Sequence, residues 1–213
     1  RYYLNGLLML IEEGQLKLVA TDGHRLAFAS REAGRKDLAR QEAILPRKTI
    51  IELSKLLDDS EEPVAIELST AQARFSFGKV LLISKLVDGK FPDYAKVIPQ
   101  NQVKKLKLDR VVLLHALQRA AILTRDKFRG VRWVLTDGNL KIVSSNTEQE
   151  EAEETLEVNY KGDALDIGFN VNYLLDVLNN VDGSEVECRF GDAASSALLS
   201  FPTEADFRYV VMP

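Results

Sequence analysis

The chain has 213 residues, 46% of them hydrophobic and 28% charged, the proportions of one or two globular domains with cores of their own and no run near the roughly 20 apolar residues of a membrane span. One cysteine, Cys188, and two widely spaced histidines, His24 and His115, exclude an internal disulfide and a zinc-ligand spacing, so no metal or cofactor is expected. A net charge of −4 argues against a tight nucleic-acid reader held by phosphate neutralisation, although local basic surfaces remain open, and nothing at Arg1-Tyr2-Tyr3 resembles a secretion signal, so a soluble cytoplasmic protein is expected.

In chain order, "NGLLMLIEEGQLKLVA" from Asn5 places two apolar runs around a glycine and predicts a β-hairpin. It runs into "VATDGHRLAFAS", Val19 to Ser30, which sets Thr21, Asp22, Gly23, His24 and Arg25 between apolar stretches. Pro46 is tolerated in a first helical turn, and Ile50, Leu53 and Leu57 at helical spacing predict a helix there. "ARFSF" alternates as a strand with Ala73, Phe75 and Phe77 on one face. Pro92 and Pro99 punctuate "FPDYAKVIPQN", which divides the chain into domains at 1–97 and 98–213. "LDRVVLLHALQRAAILTR", Leu108 to Arg125, reads as a helix, and "RGVRWVLTDGNLKIVS" from Arg129 as a second hairpin whose Asp137-Gly138 turn supplies positive φ angles. A strand "TLEVNY" precedes a last helix capped by Asn170, with Leu174, Val177, Leu178 and Val181 on its apolar side, and "EVECRF" follows with Val186, Cys188 and Phe190 on one face.

The two hairpins align without a gap at a constant offset, Gly6 with Gly130 (130 − 6 = 124), and the offset persists through Pro46 and Asn170, Leu53 and Val177, and Phe77 and Phe201. Two similar α+β domains of about 120 residues follow, each with two helices and many short strands. The counterpart of the Leu108–Arg125 helix would begin before residue 1, so the first copy is expected to be incomplete at its N-terminal side.

Thr21 to Arg25 does not recur; positions 145 to 149 hold Ser145, Asn146, Thr147, Glu148 and Gln149. Three readings compete for it. His24 is a general base oriented by Asp22 in a small hydrolase, or Asp22-Gly23 is a turn, or the stretch is a protein-binding surface on which Gly23 lets a ligand backbone approach. No nucleophile elbow, P-loop, dinucleotide fingerprint or metal cluster accompanies the first. A generic two-domain adaptor is a further alternative.

"RYYLNG", "VATDGHRLA", "SKLVDGKFPDY", "AILTRDKFRGVR", "EQEEAEE", "IGFNVNYLLDVLN" and "YVVMP" together resemble the bacterial DNA polymerase III β subunit, the sliding clamp, over essentially the whole chain. The resemblance implies a DNA-clamp, or processivity-fold, repeat with antiparallel sheets outside and paired helices inside, covering most of the middle domain and the C-terminal domain. It implies a processivity factor without its own catalytic site, which encircles duplex DNA and tethers the replicative polymerase. It also implies docking of polymerase subunits, clamp loader and repair proteins through short linear motifs. The family's peptide groove between those two domains corresponds to Leu4, Thr21, Gly23, His24, Arg25, Leu26, Pro92, Lys96 and Val97 on one wall. Asn170, Tyr173, Ser196, Val210, Val211, Met212 and Pro213 supply the other.

By the same resemblance, Tyr2, Tyr3, Arg47, Lys48, Lys55, Arg110, Arg119 and Arg125 face DNA; Lys48 and Lys55 share a helix side opposite Ile50 and Leu53. Ile122, Leu123, Glu148, Glu150, Glu151, Glu153 and Glu154 lie at the subunit interface, where the acidic run, read alone, is a solvated face. The whole family member is a homodimeric ring in the bacterial cytoplasm, on the nucleoid; this chain, without the N-terminal domain, is expected to be monomeric. Two features depart from the pattern. Lys96 stands where the family often has Arg, and an ammonium cannot reproduce guanidinium stacking or bidentate bonding. The chain also stops at Pro213, where members usually carry a few more residues, so either peptide affinity is reduced or those residues are missing from the sequence.

Overall fold

In the computed structural model residues 2–124 and 129–213 are described, Tyr2 and Tyr3 by their backbone alone, and the chain divides into two units, residues 1–95 and 96–213. Unit one opens with a 3₁₀ turn, Tyr2–Asn5, leading into β1 (Gly6–Glu12) and β2 (Gln15–Thr21). Glu12 faces Gln15, and the intervening Glu13 and Gly14 both take left-handed φ values of 52° and 75°, the backbone twist that a two-residue hairpin favours. β3 (Arg25–Glu32) pairs with β2, and β4 (Gln41–Pro46) with β1, giving an antiparallel order β4-β1-β2-β3.

α1 (Arg47–Leu56) follows β4 directly; Pro46 stands just outside the helix, at φ −59°, rather than in its first turn. β5 (Ala65–Leu68), β6 (Gln72–Phe77) and β7 (Val80–Lys85) form a second antiparallel sheet. Met9 and Leu45 from the first sheet meet Ala73 and Phe75 from the second, with Ile50 and Leu53 of α1 packed on them. Complete burial of a side chain such as Phe75 contributes about 1.5–3 kcal/mol.

Unit two starts with β8 (Lys104–Asp109), so Leu108 belongs to a strand, and α2 runs from Arg110 to Ala121 with the Asp109 carboxylate accepting from the Val112 N–H at 2.8 Å. Arg125 lies outside the described residues. β9 (Gly130–Thr136), β10 (Asn139–Ser145), β11 (Glu151–Glu157) and β12 (Leu165–Asn170) form an antiparallel sheet in the order β11-β10-β9-β12. α3 (Val171–Asn179) packs against α2 and buries Val171, Leu174, Val177 and Leu178; its N-cap is Asn170, whose side chain accepts from the Asn172 N–H. β13 (Glu185–Phe190), β14 (Ala197–Ser200) and β15 (Phe207–Val211) pair in turn, and β8 adds beside β13. Trp133 meets Phe169 edge-on at 5.6 Å and Phe190 at 6.1 Å in the core.

The repeat is realised at the predicted offset, with β1, β2, β4 and α1 beginning 124 residues before β9, β10, β12 and α3. Two further expectations change. At Asp137-Gly138 only Gly138 is left-handed; its N–H donates to the Tyr160 carbonyl and its carbonyl accepts from the Val158 N–H, both outside the hairpin. "TLEVNY" only ends β11; the strand feeding α3 is β12.

Candidate functional site

The Thr21–Arg25 stretch is the turn joining β2 to β3, with Thr21 facing Leu26 across it. The carboxylate Oδ1 of Asp22 accepts from the backbone N–H groups of His24 at 2.9 Å and Arg25 at 3.1 Å, and Oδ2 accepts from Arg25 Nε at 3.0 Å. Thr21 Oγ1 donates to the Arg25 carbonyl at 2.7 Å and accepts from the Gly23 N–H at 3.1 Å. Gly23 sits at φ 92°, where a side chain would be strained. Partial burial raises the Asp22 carboxyl, but the His24 and Arg25 N–H groups and the Arg25 guanidinium outweigh it and hold the group below its ordinary value of 3.8.

This geometry gives the hydrolase reading no support. Asp22 meets His24 through its backbone N–H, and both carboxylate oxygens are engaged by the turn and by Arg25 rather than by an imidazole they would orient. Cys188, the one thiol, is fully buried and pushed up to about 12 by desolvation and by neighbouring Glu187, the reverse of an activated nucleophile.

Around the turn, Leu26 is buried and Leu4 half-buried. Phe28 stacks on Tyr94 at 5.8 Å, which anchors the segment following Pro92; Lys96 is exposed and Val97 half-buried. In unit two, Val210 and Val211 are buried in β15, whereas Met212 and Pro213 are exposed beyond it. The Tyr209 hydroxyl donates to the Tyr173 carbonyl at 2.8 Å, tying the start of α3 to β15. The Ser196 carbonyl accepts from the Gln102 side chain. A shallow, open depression of about 630 Å³ lies beside this set, lined by Gly130, Val131, Gly168, Phe169, Ala193, Ala194 and Pro213.

The basic residues divide by what they touch. Arg47 and Lys48 are exposed in the first turn of α1, which has no acidic residue and no side-chain cap. Cations at that end oppose the helix dipole, so helix stability does not account for them. Lys55 pairs with Glu52 at 3.2 Å. Arg110 donates to the carbonyls of Leu178 and Gly183, both at 2.7 Å, and locks the start of α2 to the end of α3. Arg119 forms a two-pronged pair with Glu154 at 2.8 and 2.9 Å, so a residue expected at DNA and one expected at the subunit interface bind each other. The side chains of Tyr2 and Tyr3 lie outside what is described. β11 is the free edge of its sheet within this unit and carries the acidic run, with Glu151 and Glu153 exposed; Glu148 and Glu150 are exposed in the turn before it. Ile122, 62% exposed, and half-buried Leu123 follow α2.

Residues 1–93 match the family model for the central domain of the DNA polymerase III beta subunit, and residues 95–213 match the model for its C-terminal domain. The chain belongs to the DNA polymerase III β subunit family. The curated Beta sliding clamp of Vibrio cholerae serotype O1 is 46% identical over 213 residues, a match covering 100% of this chain and 58% of that protein. The crystal structure of DNA polymerase III subunit beta from Pseudomonas aeruginosa superposes with a TM-score of 0.97 at 47% identity, over 100% of this chain and 58% of its own. A sliding clamp from the same organism, solved bound to griselimycin, gives a TM-score of 0.96 at 47% identity and covers 100% of this chain and 57% of its own. The chain thus spans under three fifths of the length of these β subunits. The family and the clamp fold expected from the sequence are both found.

Of the depression's lining, only Pro213 was anticipated. Gly130 opens β9 and Gly168 sits inside β12, where glycine weakens a strand and leaves its face bare of a side chain. A Cβ at Gly130 would meet nothing within 4 Å among the described residues, so their packing does not require the glycine, and two strand glycines were the signal available in the sequence. Among the described residues no group of three or more His, Cys, Asp or Glu is placed to hold a metal ion, and no helix is long and apolar enough to cross a membrane.

Proposed function

We propose that this chain is the peptide-docking and DNA-tethering part of a sliding clamp, a processivity factor that encircles duplex DNA without base recognition and holds the replicative polymerase on it. Polymerase subunits, clamp loader and repair proteins dock through short motifs on two sets of residues. One is the β2–β3 turn with Leu4, Leu26, Pro92, Lys96 and Val97; the other is Asn170, Tyr173, Ser196 and Val210 to Pro213. The observation that carries this reading is that one repeat alone places Thr21, Asp22, Gly23, His24 and Arg25 at this exposed, internally braced turn, where the other has Ser145 to Gln149. The open apolar depression ending at Pro213 and the griselimycin-bound clamp of P. aeruginosa support it. Leu and Phe side chains of a peptide suit such a surface, with Met212 adapting to them.

Arg47 and Lys48 at the bare N-terminus of α1 suit phosphate contact, where helix dipole and cation act together. The acidic edge strand β11, with Ile122 and Leu123, is the proposed subunit interface; read as structure alone, charge there discourages edge-to-edge association. The protein would then work in the bacterial cytoplasm on nucleoid DNA, and this chain by itself sediments as a monomer. The test is fluorescence anisotropy of a labelled Gln-Leu-Ser-Leu-Phe peptide titrated with the 213-residue chain. Binding that His24→Ala and Met212→Ala each weaken is expected, and no binding by the unaltered chain overturns the docking reading. An adaptor without tethering is separated by loading the whole-length protein on circular DNA: a clamp is retained there and lost when the DNA is linearised.

A further inference from the structure

We propose that Asp22 is a positioning residue, whose charge holds the Arg25 side chain in place for docking, over and above making the turn. The proposal rests on the peptide-docking reading and adds a residue that reading leaves out. The repeat supplies an internal comparison, because the offset of 124 puts Asn146 at the position of Asp22 (146 − 22 = 124). Asn146 Oδ1 accepts from the backbone N–H groups of Glu148 and Glu150, both at 3.0 Å, much as Asp22 Oδ1 accepts from His24 and Arg25. That turn is also closed by the Asn146 N–H on the Glu150 carbonyl at 3.1 Å and by the Asn146 side-chain NH₂ on the Glu150 carboxylate at 2.6 Å, so a neutral side chain closes a turn at this place in the fold.

What differs in unit one is the charge: Asp22 offers its second atom, a carboxylate oxygen, to a cation, where Asn146 offers its NH₂ to the Glu150 carboxylate. Asp22 Oδ2 takes Arg25 Nε at 3.0 Å; in the other repeat Ser145 faces Glu151 where Thr21 faces Leu26, so that turn is one residue longer and the residue at the place of Arg25 is the acidic Glu150. Thr21 adds to the same end by receiving the Gly23 N–H and donating to the Arg25 carbonyl, so backbone and side chain of Arg25 are both restrained. A long side chain restrained before binding loses less rotamer freedom when a ligand arrives, and affinity rises accordingly. Asp22→Asn is a selective probe. Its amide oxygen still closes the turn, as Asn146 does, while its NH₂ would face the guanidinium donor to donor.

The experiment compares the unaltered chain with Asp22→Asn and Asp22→Ala. The readouts are the anisotropy titration with the Gln-Leu-Ser-Leu-Phe peptide and NMR spectra of the Arg25 Nε–H and the His24 backbone amide. In Asp22→Asn the His24 amide signal and the melting temperature are expected to stay, the Arg25 Nε–H to lose its protection from exchange, and binding to weaken about three- to tenfold, a modest figure for a partly exposed pair. Asp22→Ala is expected to shift the His24 amide as well. Unchanged peptide affinity in Asp22→Asn with the Arg25 signal released overturns the proposal while docking stands. Loss of the His24 signal in Asp22→Asn assigns the effect to the turn and overturns it also. Failure of the unaltered chain to bind removes the docking reading and this proposal with it.

Discussion

Gly6 and Gly130 occupy the same position in the two repeats, and the structure predicts opposite outcomes when each becomes alanine. A Cβ at Gly6 would stand 2.7 Å from the Leu45 carbonyl oxygen and 2.9 Å from Ile44 Cγ2. The oxygen cannot withdraw without disturbing the β1–β4 ladder, where Gly6 faces Pro46 and Leu7 faces Leu45, and both Ile44 and Leu45 are buried. Overpacking of this kind costs about 1–3 kcal/mol, offset in part by about 0.4–1 kcal/mol from the stiffer unfolded chain. For a unit of this size a net loss of about 1–2 kcal/mol lowers the melting temperature by roughly 4–16 °C. At Gly130 a Cβ meets nothing within 4 Å among the described residues, so the unfolded-state term dominates and the change is neutral to stabilising by up to about 1 kcal/mol. Thermal and urea unfolding of both variants, with the two units followed as separate transitions where they resolve, tests the pair. A Gly6→Ala protein as stable as the unaltered one, or equal losses in both variants, would refute the reasoning.

Asp109→Ala removes the side-chain acceptor of the Val112 N–H at the start of α2 and is expected to cost about 1 kcal/mol of unit-two stability in urea unfolding; a change below about 0.3 kcal/mol would count against the cap. Because the folded Asp22 carboxyl lies below its ordinary value, its contribution is complete above that value and lost as pH falls through the folded one. The Arg25 Nε–H signal should accordingly be constant from neutral pH to about 5 and weaken only below about 4; loss near pH 6 would point to another group. Cys188, fully buried with its thiol pushed up to about 12, should resist iodoacetamide at pH 8 in the folded chain and react on unfolding. Rapid labelling of the native chain would mean that β13 opens readily.

The repeat, the two hairpins, the Asn170 cap and the family were legible because each is written over short stretches: glycines at turns, apolar residues at strand or helix spacing, a polar side chain just before a helix. β4 and β12 went unread, since each runs without a break into a helix, at Pro46–Arg47 and Asn170–Val171, and no turn residue separates the two periodicities. The helix read from Leu108 starts at Arg110 for a related reason: Leu108 continues the apolar pattern while still paired with Val186 in the sheet.

By itself, then, the sequence determined the α+β repeat, its offset and the uneven decoration of the two copies, which together exposed Thr21–Arg25 as something the scaffold does not demand. The tertiary structure decided what each charge does. It gave Asp22 to backbone N–H groups and Arg25 instead of an imidazole, Arg110 to the end of α3, and Arg119 to Glu154, 35 residues away. It also brought Gly130, Gly168 and Ala193 to one depression. Such partnerships depend on strand register and helix packing, which set distances between residues far apart in the chain, whereas a local pattern specifies only the element a residue belongs to.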